Sequence, residues 1–581
     1  MLSSTPLRLT HISLALVGLM WVFPFLHYRH QYPLTTFDQE WWCALLGLLA
    51  TSLALGMSAD YWRQPKIPRI VQLPALLIVL VLLQWALGLM VYFDQALLYI
   101  LYLLFALLLM MLGARLRDCY GLEKLAVILA IFLLLGTELS AVIGVLQHFR
   151  WRTPFDTVIV RAYTSVYGNL AQPNHFADYI ALGMISLALL LQLRKIPVVA
   201  VMLLAVPLLF VMTLSASRSS WLYLVMLSVL ARSGGQALRP ILRYCLLLLV
   251  GFTLMHEIVQ LPFLAGTDSI TTWQRFAGED ANGGIRLYLW HEAWLIFKQS
   301  PWLGSGFGQF AWQHFQLGPV LHRTNITGLY NNAHNLIFQL AAETGLAGLA
   351  VLFAAFGVWI NGVRRVAMSA AHWWGYAILG VLGIHSLLEY PLWYSYFLAI
   401  AAILLGALDE TRYRLRGVGQ ASMPAILLLG VLSLFQLSVG YRQIKGALNT
   451  TASSAAFDRS RNELVAMHDK SILSPYADFF TSSYTLVNND HLEEKIAFNE
   501  KVMRFMPIAQ VAYRQAYLLA QNGQTGQAKR VFEQALWSYP ENAEEQQQLV
   551  KLAAKDPAHF AALLEFAIQI EQEYASAIHN K

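Results

Sequence analysis

Charged residues and cysteine are both scarce in this chain, and each shortage excludes a class of protein. Only 13% of the 581 residues are charged, whereas 57% are hydrophobic. Soluble globular domains carry about 25% charged residues, so the composition predicts an integral membrane protein. The three cysteines, Cys43, Cys119 and Cys245, lack the spacing of metal ligands, so we expect neither a disulfide framework nor a zinc site.

Apolar runs long enough to cross a bilayer recur along the first three quarters of the chain. A spanning helix needs about 20 apolar residues, and on that criterion we predict roughly thirteen spans. Their approximate extents are 11–27, 41–58, 70–92, 96–113, 125–147, 175–193, 196–214, 219–233, 240–260, 335–362, 371–388, 394–408 and 422–440. The N-terminal segment has a weakly basic front but no small-residue cleavage site, which favours a retained signal anchor.

The basic residues then predict an orientation. With the N-terminus in the cytoplasm, the basic clusters of the short loops all fall on one side, as the positive-inside rule requires. They are Arg63 with Lys66 and Arg69, Arg115 with Arg117 and Lys124, Arg194 with Lys195, Arg232 with Arg239 and Arg243, Arg364 with Arg365, and Arg412 with Arg414 and Arg416. The net charge of +6 therefore records topology, and we expect no nucleic-acid partner. The outer side receives the long segments 148–174, 261–334 and 441–581.

The last of these segments is more polar than the rest of the chain. Its stretch LAQNGQTGQAKRVFEQALWSYPEN resembles one tetratricopeptide unit. The small, large and helix-breaking positions of that unit are occupied by Ala516, Leu519, Ala528, Phe532, Ala535 and Pro540. We predict a transmembrane domain over 1–440 that includes the loop 261–334, and a helical, TPR-like domain over 441–581. A docking surface and a simple capping role are both compatible with the second domain.

Polar side chains crowd the outer entrance of one predicted span, in RAYTSVYGNLAQPNHFADYI. They are Gln172, Asn174, His175 and Asp178. Polar and ionisable groups at membrane depth are costly, so their positions indicate function more than apolar ones do. A helix cap would explain Asn174 alone, whereas it explains Gln172 and His175 less well.

Two arginines on the outer side are candidates for binding an anion. Arg218, in LSASRSSWL, lies between two apolar runs where the charge pattern predicts no basic residue. Arg286 follows a glycine pair and opens a predicted helix. Guanidinium groups bind phosphate through two parallel hydrogen bonds. Snorkelling to the headgroups would also explain Arg218, and an ordinary surface position would explain Arg286. The nearby GSGFG lacks the context of a phosphate-binding loop.

A histidine and a glutamate bracket the start of another span, YNNAHNLIFQLAAETGLAGL. On one helix, Glu343 would lie about 13 Å deeper than His334 and on the opposite side. We therefore interpret His334 as the chemical candidate and Glu343 as a structural residue that contacts a neighbouring span. We expect Gly345 and Gly348 to allow close helix packing. Farther on, HSLLEYPLWYSYF places Glu389 and Tyr390 on the outer side, beside aromatic residues typical of a membrane interface.

Five segments occur in the order typical of the O-antigen ligase and polymerase superfamily. They are GNLAQPNHFADY, LSASRSSW, IRLYLWHEAW with SPWLGSGFGQF, NNAHNLIFQLAAETGLAG, and HSLLEYPLWYSYFL. The last segment and the C-terminal domain make the chain most similar to bacterial protein O-oligosaccharyltransferases of the pilin-glycosylating PglL type. The resemblance covers about residues 10–580. It implies an all-α, GT-C-like membrane fold.

The resemblance also implies an activity. Such enzymes transfer a preassembled glycan from an undecaprenyl-diphosphate carrier to a serine or threonine hydroxyl of a periplasmic protein such as a pilin. The protein would lie in the bacterial inner membrane, with its active site and C-terminal domain in the periplasm. The family histidine falls on His334, the arginines on Arg218 and Arg286, the glutamine on Gln172 and the tyrosine on Tyr390.

These roles agree with the chemistry of the side chains. A hydroxyl is a poor nucleophile until a base removes its proton, and an ordinary histidine titrates at about 6.5. We expect His334 to activate the acceptor while Arg218 and Arg286 hold the diphosphate, as preorganised cationic donors should. The predicted substrate-binding residues are Gln172, Asn174, His175, Glu389 and Tyr390. We expect no metal cofactor, because the arginines supply the charge and no Asp-x-Asp motif occurs.

Other functions are compatible with parts of this pattern. A ligase that attaches glycan to lipid A core, or a glycan polymerase, would use the same chemistry on another acceptor. A transporter or lipid flippase should show internal repeats and polar residues near the bilayer midplane. The polar clusters here collect at one surface instead.

Overall fold

A computed structural model of the protein describes residues 5–56, 61, 65–161, 166–264, 281–324, 326–414, 419–449 and 455–579. Some of the sequence predictions fall outside these residues. They concern the first four residues of the N-terminal segment, residues 265–280 of the long outer loop, and the basic residues Arg63 and Arg416.

Helices make up nearly all of the described secondary structure. In chain order they are α1 (Thr5–Met20), α2 (Phe23–Leu26), α3 (Phe37–Thr51), α4 (Gln72–Ala86), α5 (Phe93–Tyr120), α6 (Leu122–His148), α7 (Pro173–Gln192), α8 (Val198–Leu214), α9 (Ser219–Ser233), α10 (Arg239–Ile258), α11 (Ala281–Gln299), α12 (Phe310–Gln316), α13 (Gly318–Leu321), α14 (Leu336–Val363), α15 (Ala370–Ser386), α16 (Ser395–Leu408), α17 (Gly419–Leu448), α18 (Ala455–Ala466), α19 (Ser474–Ser482), α20 (Leu492–Phe505), α21 (Ala509–Gln521), α22 (Thr525–Ser538), α23 (Ala543–Lys555) and α24 (Pro557–His579). Short 3₁₀ turns cover Arg69–Val71, Asp156–Val158, Gly235–Leu238 and Pro391–Trp393, and a π-helical turn covers Ser52–Gly56. Two short strands, β1 (Lys66–Pro68) and β2 (Arg412–Arg414), pair antiparallel.

Eight helical segments within the described residues are long and apolar enough to cross a membrane. They are Arg8–Leu26, Arg69–Ala86, Phe93–Tyr120, Leu122–His148, Pro173–Gln192, Gly235–Ile258, Leu336–Val363 and Ser422–Leu448. Helices α8 and α16 are apolar but shorter. The predicted class, a polytopic helical membrane protein, is therefore confirmed, whereas the count of thirteen spans stays a prediction.

The chain divides into two compact units. The first consists of Met1–Leu77, Leu101–Ala281 and Val351–Leu434. Within it, α7 packs against α6, α8 and α15, and every residue of α7 from His175 to Leu190 is buried. A helix so enclosed can carry polar side chains that lipid would not tolerate.

Three of the basic loops lie together in this first unit. The pairing of β1 with β2 places Lys66 opposite Arg414. Arg117, in the last turn of α5 and beside the loop to α6, donates a 2.7 Å hydrogen bond to Glu410 just before β2. These three loops therefore share one side of the unit, in agreement with the charge pattern of the sequence.

The second unit consists of Ile78–Ile100, Asn282–Ala350 and Phe435–Lys581. This grouping places the described part of the outer loop from Asn282 onward with the C-terminal helices, whereas the sequence prediction assigned the loop to the transmembrane domain. A shared core accounts for the grouping, because Phe315 of α12 is fully buried among residues of α21 and α22. The predicted hairpin residues Ala516, Leu519, Ala528, Phe532 and Ala535 are buried in the same core.

A polar contact also joins the C-terminal helices to the segment before α5. The Tyr92 hydroxyl donates a 3.0 Å hydrogen bond to the Asp478 carboxylate, which is nearly buried in α19. The His468 ring lies 2.6 Å from the other oxygen of that carboxylate. The C-terminal helices are thus held to the rest of the second unit by apolar and by polar contacts.

Candidate active site

The first group of predicted residues lies at the start of α7, in the first unit. The side-chain oxygen of Gln172 accepts a 2.5 Å hydrogen bond from the backbone N–H of His175. Gln172 is therefore the N-cap of α7, with Pro173 in its first turn. A helix cap was the alternative explanation for Asn174, and the structure gives that position to Gln172 instead. Proline favours the first helical position, so the residue before it takes the cap.

Asn174 instead reaches a second predicted residue. Its side-chain amide donates a 3.0 Å hydrogen bond to Oε1 of Glu389, which follows α15 and is almost fully buried. Burial raises the pKa of the neighbouring Tyr390 above its ordinary value, and the Glu389 carboxylate adds to the shift. Tyr390 therefore stays a neutral phenol at physiological pH. This corner of the unit offers both donors and acceptors to a polar ligand.

His175 lies among aromatic rings. Its ring centroid is 5.3 Å from that of His385, 4.9 Å from Tyr394 and 5.4 Å from Phe397, and that of Tyr390 lies 6.4 Å away. Only 3% of His175 is exposed. Through these ring contacts, the buried His175 can hold the side chains of Tyr390 and Tyr394 in fixed orientations.

A buried pair that the sequence analysis missed connects this corner to Arg218. The Tyr223 hydroxyl and Nδ1 of His385 are 2.9 Å apart, and both residues are fully buried. The bond joins α9, whose N-cap position is occupied by Arg218, to α15, which leads to Glu389. His385 opens the segment HSLLEYPLW, but no local pattern indicates that it meets a tyrosine of another helix.

Arg218 itself is half-buried between serines. Ser217 and Ser219 are nearly fully buried, and their hydroxyls are 2.8 Å apart. The arginine stands at the N-terminus of a 15-residue helix, where the helix dipole favours negative charge. Its position therefore agrees with the predicted anion-binding role.

The second group of predicted residues lies in the second unit. His334 precedes α14 and has a left-handed backbone, with a φ of 52°. Its N–H donates a 2.8 Å hydrogen bond to Oδ1 of Asn332, and Oδ1 of Asn335 accepts from the N–H groups of Ile337 and Phe338. A left-handed backbone is uncommon outside glycine. The hydrogen bonds of Asn332 and Asn335 stabilise it here and so fix the direction in which the His334 side chain projects from the backbone.

The predicted placement of His334 and Glu343 on one helix is wrong. The helix begins only at Leu336, so the helical spacing does not apply. Glu343 is nearly buried, and its Oε1 accepts a 3.1 Å hydrogen bond from the N–H of Phe310 at the start of α12. Its carbonyl accepts from the Gln84 side chain in α4. The contacts of Glu343 are thus structural, with its carboxylate directed at a loop helix.

Gly304 of SPWLGSGFGQF and Gly345 of AETGLAG have one common explanation. Gly345 interrupts α14 with a φ of 61° and a ψ of −157°. The carbonyls of Pro301 and Trp302 accept hydrogen bonds from Leu346 and Ala347, at 2.8 and 3.0 Å. A Cβ added to Gly304 would lie 2.2 Å from the backbone of Glu343. We expected Gly345 to allow close approach of two helices, but it admits this loop.

Helix α11 carries Arg286 and packs against the His334 segment. Trp290 stacks on Phe338 with ring centroids 5.5 Å apart and an interplanar angle of 17°. Leu289 and Ala333 are fully buried in one apolar core. Arg286 and His334 each precede one member of the stacked pair by four residues, so this packing brings the two segments together.

A buried ionic cluster that the sequence analysis missed supports the same helix. The His314 ring is 2.6 Å from one Glu292 carboxylate oxygen, and Arg323 is 3.4 Å from the other. All three side chains are almost fully buried. Burial lowers the pKa of Arg323, and the Glu292 carboxylate opposes that shift. Arg323 also donates to Ser538 of α22, so the cluster joins α11 to the C-terminal helices.

Comparison with known families supports the order of motifs. A model described as O-antigen ligase matches residues 180–353, and one described as protein glycosylation ligase matches residues 166–191. A third, described as virulence factor membrane-bound polymerase, C-terminal, matches residues 373–554. The matched ranges contain all eight predicted site residues.

Two curated proteins of Acinetobacter baylyi are similar to this chain. A general O-oligosaccharyltransferase is 27% identical over 440 residues, which are 73% of this chain and 74% of that protein. A ComP-specific O-oligosaccharyltransferase is 24% identical over 242 residues, which are 41% of this chain and 43% of that protein. These matches confirm the resemblance that the sequence motifs indicate: the chain is similar both to O-antigen ligases and to protein O-oligosaccharyltransferases.

Proposed function

We propose that this chain is an O-linked oligosaccharyltransferase that moves a preassembled glycan from undecaprenyl diphosphate to serine or threonine hydroxyls of periplasmic proteins, pilins among them. The two A. baylyi relatives and the protein glycosylation ligase match support the enzyme class. The observation that carries the catalytic part of the proposal is the packing of the His334 segment against the helix of Arg286 through Trp290 and Phe338.

His334 acts on the acceptor in this proposal. It takes the proton of the hydroxyl as the oxygen attacks the anomeric carbon of the glycan from the side opposite the lipid diphosphate. The bond between the anomeric carbon and the phosphate oxygen breaks with inversion, and its electron pair leaves with the diphosphate. A positioned base of this kind contributes ~10²–10⁴-fold. The fixed backbone of His334 supports the role, because proton transfer needs a defined direction.

Arg218 and Arg286 act on the leaving group. Negative charge develops on the diphosphate as the bond breaks, and cationic donors already in place lower the free energy of that transition state. Arg218 stands at a helix N-terminus, which favours the same charge. The proposal requires no metal ion, because the two guanidinium groups supply the positive charge.

Residues at the start of α7 and after α15 orient the substrates. Asn174 and Glu389 form a hydrogen-bonded pair, and we assign them, with Gln172 and Tyr390, to contacts with glycan or acceptor hydroxyls. His175 contributes by holding Tyr390 and Tyr394 in place.

The proposal places the enzyme in the bacterial inner membrane. Its N-terminus and basic loops would face the cytoplasm, and its active site and TPR-like C-terminal domain would face the periplasm. Three basic loops on one side of the first unit support this orientation. The C-terminal domain would then be available to contact an acceptor protein.

One experiment tests the activity and the base together. The chain is expressed with a lipid-linked glycan pathway and a periplasmic pilin, in a host without its own ligase, and the intact pilin is weighed by mass spectrometry. We expect a glycan-sized mass increase that disappears with His334→Asn. Asparagine tolerates the left-handed backbone but cannot accept a proton at neutral pH. His491→Ala, at an exposed histidine of the C-terminal domain, is the matched control. Normal pilin modification by His334→Asn would overturn the assignment of His334 as the base.

An O-antigen ligase is the second candidate, because the O-antigen ligase model matches residues 180–353. The acceptor would then be lipid A core. The same host distinguishes the two, since an unmodified pilin together with newly glycosylated lipid A would assign the chain to that reaction.

A further inference from the structure

Helix α11 carries large apolar residues on its exposed face as well as on its buried face. Leu289, Glu292, Ala293 and Ile296 face the interior and are almost fully buried. The other side is formed by Leu287, His291, Trp294 and Lys298, at spacings of four, three and four residues. We call these four residues the outer face of α11. Leu287 is 64% exposed and Trp294 47% exposed. A helix with apolar residues on both sides requires an apolar partner on the second.

Trp302, three residues after the end of α11, is more exposed still, and its contacts fix its depth along a membrane span. Trp302 is 73% exposed. Its carbonyl accepts a hydrogen bond from Ala347 of α14, just beyond the break at Gly345. Trp302 is therefore held beside a helix that is long and apolar enough to cross a membrane.

The length of that helix shows where Trp302 lies relative to the boundary of the bilayer. From Gly345 to Val363, α14 covers about 27 Å at 1.5 Å per residue, close to the hydrocarbon thickness of about 30 Å. Arg364 and Arg365 follow immediately and mark one boundary of the bilayer. The other boundary then lies near Gly345, at the level of Trp302. Tryptophan is enriched at such boundaries, and a lysine beside apolar residues can extend its ammonium to the headgroups.

We propose that the outer face of α11, together with Trp302, contacts the headgroup region of the bilayer. Leu287, Trp294 and Trp302 lie at the boundary of the acyl chains, while Lys298 meets lipid phosphates. Arg286 neighbours Leu287 on the same helix, so the contact holds its guanidinium at headgroup height. The consequence for Arg286 rests on the proposed function, because a lipid-linked donor presents its diphosphate at that height.

Site-specific labelling tests the contact without any assay of activity. Cys119 is exposed whereas Cys43 and Cys245 are buried, so Cys119→Ser removes the accessible native thiol. Trp294→Cys or Leu287→Cys is then labelled with a polarity-sensitive maleimide dye, and the protein is reconstituted into vesicles of phosphatidylglycerol and phosphatidylethanolamine. Some of the lipids carry a spin label at the headgroup or at an acyl position. Val550→Cys in α23, an apolar residue 54% exposed, is the matched control.

We expect a blue-shifted emission at both α11 positions, with stronger quenching by headgroup and upper acyl labels than by labels near the chain end. Val550→Cys should show neither effect. Emission and quenching equal to those of Val550→Cys would overturn the proposal. A blue shift that disappears when the protein is diluted with lipid would also overturn it, since a second copy of the chain would then cover this face. Glycan transfer does not enter the measurement, so its failure and that of the proposed function are distinguishable.

Discussion

The side-chain amide of Asn174 lies 3.0 Å from the Glu389 carboxylate and donates a hydrogen bond to it. The bond joins the first turn of α7 to the segment after α15, two regions separated by 215 residues. Both residues were predicted to bind substrate from sequence motifs alone. Their contact joins two separate motifs into one hydrogen-bonded pair, which can be tested by exchanging the donor and the acceptor.

Replacing the donor by an acceptor should disrupt this unit. Asn174→Asp places two carboxylates about 3 Å apart, and like charges at that distance repel strongly. We expect glycan transfer to fall, and the double variant Asn174→Asp with Glu389→Gln to recover much of it, because one donor and one acceptor face each other again. Single-turnover transfer to the acceptor measures both. No recovery in a double variant that folds normally would show that the pair has no joint role.

A second substitution separates the capping and binding roles of Gln172. Aspartate is a better N-cap than glutamine, so Gln172→Asp should keep the thermal stability of the protein. If Gln172 also contacts substrate, transfer should still fall, since the shorter carboxylate replaces an amide that can donate. Gln172→Ala should lose about 1 kcal/mol of stability as well. If Gln172→Asp transferred glycan at the full rate, Gln172 would act only as the N-cap of α7 and would have no role in substrate binding.

Gly304 should be intolerant of any side chain. Its φ of 70° and the 2.2 Å approach to Glu343 leave no room for a Cβ, so Gly304→Ala should lose about 1–3 kcal/mol through overpacking. Gly357→Ala is the matched control within α14, where an added Cβ meets no atom within 4 Å. Thermal unfolding followed by fluorescence-detected gel filtration compares the two. Equal melting temperatures would contradict the proposed packing of the loop on α14.

The stability of the protein should depend strongly on the ion pairing within the buried cluster of Glu292, His314 and Arg323. Removing one partner of a buried ion pair leaves an uncompensated charge and costs about 3–5 kcal/mol. We therefore expect Arg323→Met to lower the melting temperature sharply, and the double variant with Glu292→Gln to recover most of the loss. Ser538→Ala removes only an outlying contact at 3.3 Å and serves as the mild control. A double variant as unstable as Arg323→Met would contradict this account.

The sequence predicted the parts of the structure that depend on local pattern. Apolar length predicted the eight helical segments that are long and apolar enough to cross a membrane. The positions of basic residues predicted that the loops of Lys66 and Arg414 lie on one side, and the pairing of β1 with β2 joins these loops. The spacing of Ala516, Leu519, Ala528 and Phe532 predicted a helical hairpin, and the structure buries all four residues in one core. Each of these signals is contained within a few helical turns.

The predictions that were wrong depend on contacts between distant segments. The position of Glu343 relative to His334 was derived from an ideal helix, whereas the helix begins only at Leu336 and His334 precedes it with a left-handed backbone. The packing of the GSGFG stretch was not predicted, because its partner, the backbone of α14, lies about 40 residues later. Glu292, His314 and Arg323 each resemble ordinary polar residues of an outer loop, and only the fold brings them together.

The burial of Phe315 within the core of α21 and α22 has a consequence for protein engineering. A chimera that exchanges only the chain after Phe435 for that of a relative would leave this ring facing a cavity shaped for a different side chain. It would also separate Arg323 from Ser538. An exchange that keeps this core intact has to include α12, α13 and the residues up to Arg323, so the smallest unit that can be exchanged between relatives is discontinuous in sequence.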